Sequence, residues 1–255
     1  MLSDTTAFVT GASQGIGRTI AETLVDRGAS VALAARGDGI YDAADELGEG
    51  AFPVETDVAD EESVADAIEA TVEHFDGLDC LVNNAGIAGP TAPVEDVAVE
   101  EWERTMDVNV TGMFRCTKHA VPHLRESDRG SVVNISSISG KRPLEHRTPY
   151  TASKMAVIGF TRTLAFELGE SDVTANAICP GATSGPRIED VIERQAEQLD
   201  VSYEEAKEAV FTDDTALGSL VDPEDIAEMV AYLASDAGRH VTAQDINVDA
   251  GSTWY

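Results

Sequence analysis

An α/β fold, a parallel sheet wound on both faces by helices, is predicted by three observations. Short apolar runs alternate with helical stretches along the whole chain; the first run leads through a glycine-rich turn into a helix; and no linker, repeat or low-complexity stretch divides the 255 residues. Strands are expected at 7–10, 31–35, 52–56, 80–83, 132–136, 174–178 and 245–248. Alternation of strand and helix implies parallel pairing with both faces covered. Residues 1–255 therefore read as a single domain.

The helical stretches carry their own signals. From Ser63 to Phe75, Val64, Ala67, Ile68 and Val72 fall on one face. From Tyr150 to Leu168 the apolar residues include Ile158, Leu164 and Phe166. Asp222 is a helix N-cap with Pro223 at the first helical position. Residues 184–219 break the rhythm and are long for a connection. Ile188, Val191, Ile192 and Leu199 form a helical stripe there, and Ser202 with Glu205 forms a capping box. This insertion is expected to be a pair of lid helices over a substrate site, the plainer alternative being an added surface subdomain.

Charge sets the chain apart. Lys and Arg total 17 against 47 Asp and Glu, a formal net charge of −30. Such a surface repels nucleic acid and anionic membranes, so neither is an expected partner. The balance resembles that of cytoplasmic proteins from salt-loving organisms, where dense counterions screen the carboxylates. No apolar run approaches the roughly 20 residues of a membrane span. Met1-Leu2-Ser3-Asp4 has no basic signal-peptide region. Cys80, Cys116 and Cys179 show no metal or disulfide spacing, which fits a reducing cytoplasm. His119 and His123 have a helical spacing that suits a metal, but no acidic third ligand accompanies them, and no metal is expected.

Thr10-Gly11-Ala12-Ser13-Gln14-Gly15-Ile16-Gly17 lies between the first strand and a helix. Its glycines permit a tight turn and let the backbone approach a pyrophosphate, which the helix N-terminus then binds. A dinucleotide is the expected cofactor. The second strand ends at Ala35-Arg36, without the acid that would accept from a ribose 2′-hydroxyl. The Arg36 guanidinium suits a 2′-phosphate, so NADP is favoured over NAD, although Gln14 offers no second basic contact. Asp57 and Val58 end the third strand, where an adenine edge can lie, and Asn83-Asn84-Ala85-Gly86 ends the fourth.

Tyr150 and Lys154 stand one helical turn apart, where the ammonium favours the phenolate. Ser137 follows an apolar strand thirteen residues earlier, placed to hydrogen-bond a substrate carbonyl, and Asn109 offers an amide for a water relay. Taken together, the chain resembles the short-chain dehydrogenase/reductase family in its branch of about 250 residues, near the 3-oxoacyl reductases. The resemblance covers nearly the whole length. It rests on Thr10 to Gly17, Asp57, Asn83 to Gly86, Asn109, Ser137, Tyr150, Lys154, Pro180-Gly181 and Val248-Asp249-Ala250-Gly251.

The resemblance implies an NAD(P)-dependent oxidoreductase acting on a ketone or secondary alcohol, with Tyr150 as general acid/base and Ser137 polarising the carbonyl. It implies that Lys154 binds the nicotinamide ribose, that Asn109 holds a relay water, and that Pro180, Gly181 and Thr183 flank the nicotinamide. It further implies a Rossmann-like sheet of order 3-2-1-4-5-6-7 and a homotetramer. Two departures stand out: Ala250 replaces the first of two glycines, and the loop after Gly181 lacks a frequent threonine.

Lys141, Arg142 and Arg147 lie between Ser137 and Tyr150 in a cation-poor chain, and Arg187 begins the insertion. Arg147 and Arg187 are candidates to hold an anionic substrate group, against salt bridging to local acids. The substrates considered are a 3-oxoacyl thioester, a sugar or a keto acid. The alternative from another class is a nucleotide-binding regulatory protein without turnover, against which the Ser137, Tyr150 and Lys154 set argues.

Overall fold

The computed structural model describes residues 2–254, apart from the side chains of Arg187 and Gln198. In chain order its elements begin with β1 (Thr6–Thr10), α1 (Gly15–Asp26), β2 (Ser30–Ala35), α2 (Gly39–Leu47), β3 (Ala51–Glu55), α3 (Glu61–Phe75) and β4 (Cys80–Asn83). There follow α4 (Val99–Met106), α5 (Gly112–Leu124), β5 (Ser131–Ile135), α6 (Thr148–Leu168) and β6 (Thr174–Pro180). The chain closes with α7 (Pro186–Leu199), α8 (Tyr203–Lys207), α9 (Pro223–Leu233) and β7 (Asp245–Val248). The expected strands agree with these to within two residues.

All pairings are parallel, and the order is β3-β2-β1-β4-β5-β6-β7, as the family resemblance implied. Alternate residues of each strand face opposite layers. Val9, Leu33, Val82, Val133 and Ile178 pack with α1, α2 and α9, while Phe8, Ala32, Leu81, Val132 and Ala175 pack with α3, α5 and α6. The Val, Leu, Ile and Phe side chains among these each contribute about 1.5–3 kcal/mol once buried. In α3 the expected face of Val64, Ala67 and Ile68 is buried, and the Asp60 side chain caps the helix by accepting from the Glu62 and Ser63 N–H groups. Phe166 differs: it lies on α6 but is 84 % exposed, because the sheet-facing stripe of that helix is carried by Ile158, Leu164 and Leu168.

The order reverses between β1 and β4, opening a crevice at the carboxyl ends of the strands. Beneath it lies a polar brace. Asn83 Nδ2 donates to Asn134 Oδ1 (2.8 Å) and Thr117 Oγ1 (3.2 Å), and Asn134 Nδ2 donates to Thr161 Oγ1 (2.8 Å). These bonds lock β4 and β5 to α5 and α6 in register.

The insertion after β6 is helical, as expected. Ile192 and Ala206 are its buried anchors, and α8 continues through a π-type turn to Thr212. Ser202 and Glu205 form the expected reciprocal cap: Ser202 N–H donates to Glu205 Oε2 (2.9 Å) and Glu205 N–H to Ser202 Oγ (3.3 Å). Among the described residues no helix is long and apolar enough to cross a membrane.

Candidate active site

The glycine-rich turn follows β1 because Gly11 adopts φ +69°, a left-handed conformation that a side chain resists. Its N–H donates to the Ala34 carbonyl (2.7 Å), which closes the turn against β2. Gly17 is required for a different reason. A Cβ there would lie 2.3 Å from both the Gly11 carbonyl and Asn84 Nδ2. The first intrahelical bond runs from Arg18 N–H to the Gln14 carbonyl, so the N–H groups of Gly15, Ile16 and Gly17 point out of the helix end. Gln14 supplies no side-chain cap and the first turn of α1 holds no acid. Together these make the cradle a pyrophosphate needs.

Asn84, expected at the cofactor, braces this turn with its side chain: Nδ2 donates to the Thr10 carbonyl (2.9 Å). Thr10, at the end of β1, has a structural role that its place in the motif does not announce. Its hydroxyl accepts from the N–H groups of Asn84 (2.9 Å) and Ala85 (3.0 Å), joining the carboxyl ends of β1 and β4. A buried hydroxyl at the last position of an apolar strand was the available signal.

The next station along the crevice is a shallow cleft lined by Arg36, Glu55, Asp57 and Ser63. Arg36 is exposed and makes no ion pair among the described residues. Asp57 is held by an Asx turn, Oδ1 accepting from Ala59 N–H (3.0 Å), while the Asp57 N–H donates to Ser63 Oγ (3.0 Å). Val58 is buried beneath, against Gly112.

At the carboxyl end of β5 the chemical groups converge. Lys154 Nζ donates to the Ile135 carbonyl (2.8 Å), and Ser136 Oγ donates to the Lys154 carbonyl (2.7 Å), so α6 is fastened to β5 from its side chain and its backbone. Lys154 Nζ lies 5.7 Å from the Tyr150 ring centre. Ser137 Oγ accepts from Ser139 N–H (3.1 Å), which leaves its own O–H to donate to a substrate oxygen. The turn after Ser137 presses on α6 at Gly140, where a Cβ would lie 2.8 Å from the Lys154 carbonyl carbon and oxygen.

Asn109 sits in a π-type turn at Asp107–Thr111 between α4 and α5, an irregularity frequent at functional sites. Its side-chain amide is held by the protein. Asn109 Oδ1 accepts from Ile87 N–H (2.7 Å), and Nδ2 donates to the Ile87 carbonyl (2.9 Å) and to Ser153 Oγ (3.0 Å). Through these bonds the side chain clamps the loop after β4. Ser153, overlooked in the sequence reading, relays this clamp by donating to the Tyr150 carbonyl (2.7 Å). Gly86 closes the arrangement, since a Cβ there would lie 3.2 Å from Asn109 Oδ1 and 3.7 Å from Lys154 Nζ.

After β6, the Gly181 N–H donates to the Val248 carbonyl (2.9 Å) and Thr183 Oγ1 donates to the Gly181 carbonyl (3.1 Å). The Pro180–Gly181–Thr183 loop is thus pinned to β7, and Ala250 adopts a left-handed φ of +54° just beyond it.

The basic segment divides. Lys141 is half-buried in an ion pair with Asp245 (2.7 Å) and also donates to Asn247 Oδ1 (2.6 Å), which removes it from the substrate candidates. Burial pushes the Asp245 carboxyl upward, but hydrogen bonds and charge from Lys141 and Arg162 outweigh it and hold it below the usual carboxylate range. Arg147 instead lies at the site, Nη2 donating to the Ala88 carbonyl (2.8 Å) and Cζ 5.2 Å from the Tyr150 ring centre. The side chain of Arg187 lies outside the described residues. Burial pushes the thiols of Cys80 and Cys116 up to about 12 and that of Cys179 to about 11, so none is a thiolate at neutral pH. His119 Nε2 lies 3.3 Å from Glu61 Oε1 at the start of α3.

Residues 11–253 match the family described as enoyl-(acyl carrier protein) reductase. The chain belongs to the short-chain dehydrogenase/reductase family. A putative ketoacyl reductase of Streptomyces coelicolor is 39% identical over 251 residues, 96% of this chain and 95% of that protein. A cis-4-hydroxycyclohexanecarboxylate dehydrogenase of Sinomonas cyclohexanicum is 37% identical, covering 97% of this chain and 96% of that protein. Among solved structures, a point variant of the actinorhodin polyketide ketoreductase with NADPH superposes at a TM-score of 0.91, with 38% identity and 100% of both chains covered. The 3-ketoacyl-(acyl-carrier-protein) reductase of Brucella melitensis with NADH gives 0.87, with 30% identity and 99% of each chain covered. Ser137, Tyr150 and Lys154 all fall within the residues that match this dehydrogenase/reductase family.

Proposed function

We propose that this short-chain dehydrogenase/reductase is an NADP-preferring ketoreductase whose substrate carries an anionic group, a 3-oxoacyl thioester or a keto acid, with a sugar as the remaining candidate. The coarser activity is plain: the chain is a nicotinamide-dependent oxidoreductase of ketones and secondary alcohols. The single observation that carries the reading is that the end of β5 carries Ser137 and, through the Ile135 carbonyl, holds Lys154, whose ammonium lies 5.7 Å from the Tyr150 ring centre.

The residues fit the cofactor, which when bound supplies the hydride. The α1 N–H groups receive its pyrophosphate. Ser137 donates its hydroxyl hydrogen to the carbonyl oxygen and fixes its position. Tyr150 delivers the phenolic proton to that same oxygen as negative charge develops there. The Lys154 ammonium stabilises the charge left on Tyr150, and its bond to the Ile135 carbonyl keeps it in place. Asn109 and Ser153 hold the Tyr150 backbone to the loop after β4. Pro180, Gly181 and Thr183 wall the nicotinamide side, and α7 with α8 closes over the substrate as a lid.

Arg36 supports NADP, since its guanidinium is exposed at the cleft where a 2′-phosphate would lie. Glu55 in the same cleft opposes it and suits a 2′-hydroxyl. The anionic group is assigned on Arg187, from its place at the start of the lid; Arg147, the other candidate, is engaged by the Ala88 carbonyl beside the Tyr150 ring. A homotetramer is supported by the apolar surface that α6 leaves open at Met155 and Phe166 and by exposed Trp254 near the C-terminus. The net charge of −30 supports a halophilic, cytoplasmic enzyme that does not bind nucleic acid or anionic membranes.

The test is a carbonyl panel (3-oxoacyl thioesters, keto acids, neutral diketones and, in reverse, sugars) with NADPH and NADH from dilute buffer to molar KCl. Tyr150→Phe and Arg36→Ala serve as comparison variants. Expected are turnover by the wild type with anionic members favoured, none by Tyr150→Phe, and a selective loss of NADPH affinity in Arg36→Ala. Activity and Tm should rise with KCl as screening shortens to about 3 Å at 1 M. Nucleotide binding with no turnover on any member would instead favour a regulatory protein.

A further inference from the structure

Arg147 occupies an unusual place for a cation on so acidic a surface. It is the residue before α6, and only half-exposed. His146 before it takes a left-handed φ of +60°, and its carbonyl accepts from Ala92 N–H (2.9 Å). That turn directs Arg147 inward, where Nη2 donates to the Ala88 carbonyl (2.8 Å) and the guanidinium carbon lies 5.2 Å from the centre of the Tyr150 ring. Lys154 lies 5.7 Å from the same centre. The ring of the proton donor thus carries two cations, and they arrive from different directions: one from the turn before the helix, one from a turn further along it.

A cation near an aromatic ring is attracted to its π electrons, and the attraction grows when the ring takes on negative charge. Proton transfer from Tyr150 to a carbonyl oxygen does this: the O–H bond breaks, the pair stays on the phenol oxygen, and charge spreads into the ring. An interaction stronger at that moment than in the resting enzyme lowers the barrier instead of merely tightening binding. The bond to Ala88 also fixes where the guanidinium, and with it the ring, can sit.

We propose that Arg147 is a positioning residue for Tyr150, holding the ring and stabilising the charge that appears on it as the proton leaves. The proposal rests on Tyr150 being the proton donor. It differs from a direct grip on an anionic substrate, in which Arg147 would act on KM and only for charged substrates.

The experiment compares Arg147→Met, which keeps the aliphatic stem, with Arg147→Lys, which keeps the cation, on a neutral diketone and on an anionic keto acid. Tyr150→Phe is run alongside. For Arg147→Met, kcat should fall about ten-fold on both substrates, with KM and cofactor affinity unchanged and a larger D2O solvent isotope effect on kcat. Arg147→Lys keeps a cation for the ring and should recover to within about three-fold of the wild type. Wild-type kcat in Arg147→Met overturns the proposal. So does an equal loss in both variants with weakened cofactor binding, which marks a structural role, or a KM increase confined to the keto acid, which marks an anion clamp. Wild-type turnover by Tyr150→Phe refutes the proton-donor reading itself; a dead Tyr150→Phe with an unaffected Arg147→Met refutes only this inference.

Discussion

Gly140→Ala places one methyl group against the backbone that carries Lys154. Gly140 lies three residues after Ser137, in the turn that presses on α6. The added Cβ would meet the Lys154 carbonyl carbon and oxygen at 2.8 Å and the Met155 nitrogen at 3.1 Å. Ordinary contact begins near 3.4 Å, so the turn and the helix must separate by about 0.6 Å. Neither neighbour is a flexible side-chain end, and the Lys154 carbonyl is also held by Ser136 Oγ. The displacement therefore falls on Ser137 or on Lys154. A misplacement of 1 Å at a reacting group costs up to about 100-fold in rate, so about 0.6 Å predicts a loss of about ten-fold in kcat. Overpacking should cost about 1–3 kcal/mol in stability, a fall of several degrees in Tm for a chain of this size. Cofactor affinity should hold if Ser137 is what moves and fall if Lys154 moves, since Lys154 is the residue expected to bind the nicotinamide ribose. Steady-state kinetics, nucleotide titration and a thermal melt read the three quantities separately. A variant with wild-type kcat and Tm would show that the turn does not bear on α6 in this way.

Two further perturbations probe the far side of the site. Asp245→Asn leaves half-buried Lys141 without its carboxylate and should cost about 2 kcal/mol at neutral pH. Because the folded state holds the Asp245 carboxyl below its ordinary range, that contribution is complete above the ordinary value and is lost as pH falls through the folded-state value. Denaturant melts of wild type and variant should accordingly converge on acidification, and a constant gap would contradict the ion-pair account. Ala250→Gly relieves a left-handed φ of +54° at a position where a side chain costs about 1–2 kcal/mol, partly offset by the greater freedom of glycine when unfolded. Tm should rise by about one to three degrees, and a fall would mean that the Ala250 methyl contributes packing.

The layered sheet was legible in the sequence because fully buried parallel strands are short apolar runs, and these runs are well separated. The candidate catalytic residues were legible for another reason: Ser137, Tyr150 and Lys154 are fixed relative to each other by one strand end and one helix, so their spacing survives as a pattern. What stayed hidden depends on contacts between segments distant in sequence. Ser153 reads as an ordinary helical serine until Asn109, 44 residues away, is brought beside it. Lys141 and Arg147 look alike as cations between Ser137 and Tyr150, yet β7 claims the first and the loop after β4 receives the second. Phe166 reads as core by composition, and only the rotation of α6 against the sheet shows it on the surface.

The placement of acids shows where the fold tolerates negative charge and where it reserves room for it. A carboxylate in the first turn of a helix is favourable by about 0.3–1 kcal/mol, and this acid-rich chain uses the position repeatedly. Asp42 occupies it in α2, Glu61 and Glu62 in α3, and Glu100 and Glu101 in α4. Glu189 does so in α7, Glu204 and Glu205 in α8, and Glu224 and Asp225 in α9. The first turns of α1, α5 and α6 hold none. α5 is no real exception, because it continues directly from the π-type turn and has no free end. The two free helix ends without acids are thus the one that suits a cofactor pyrophosphate and the one that carries Tyr150 in its first turn. Both are places where the proposed reaction itself brings negative charge: a bound phosphate at α1, a phenol losing its proton at α6. A resident carboxylate at α1 would compete with the phosphate for the same N–H groups, and one at α6 would repel the charge that Tyr150 has to carry.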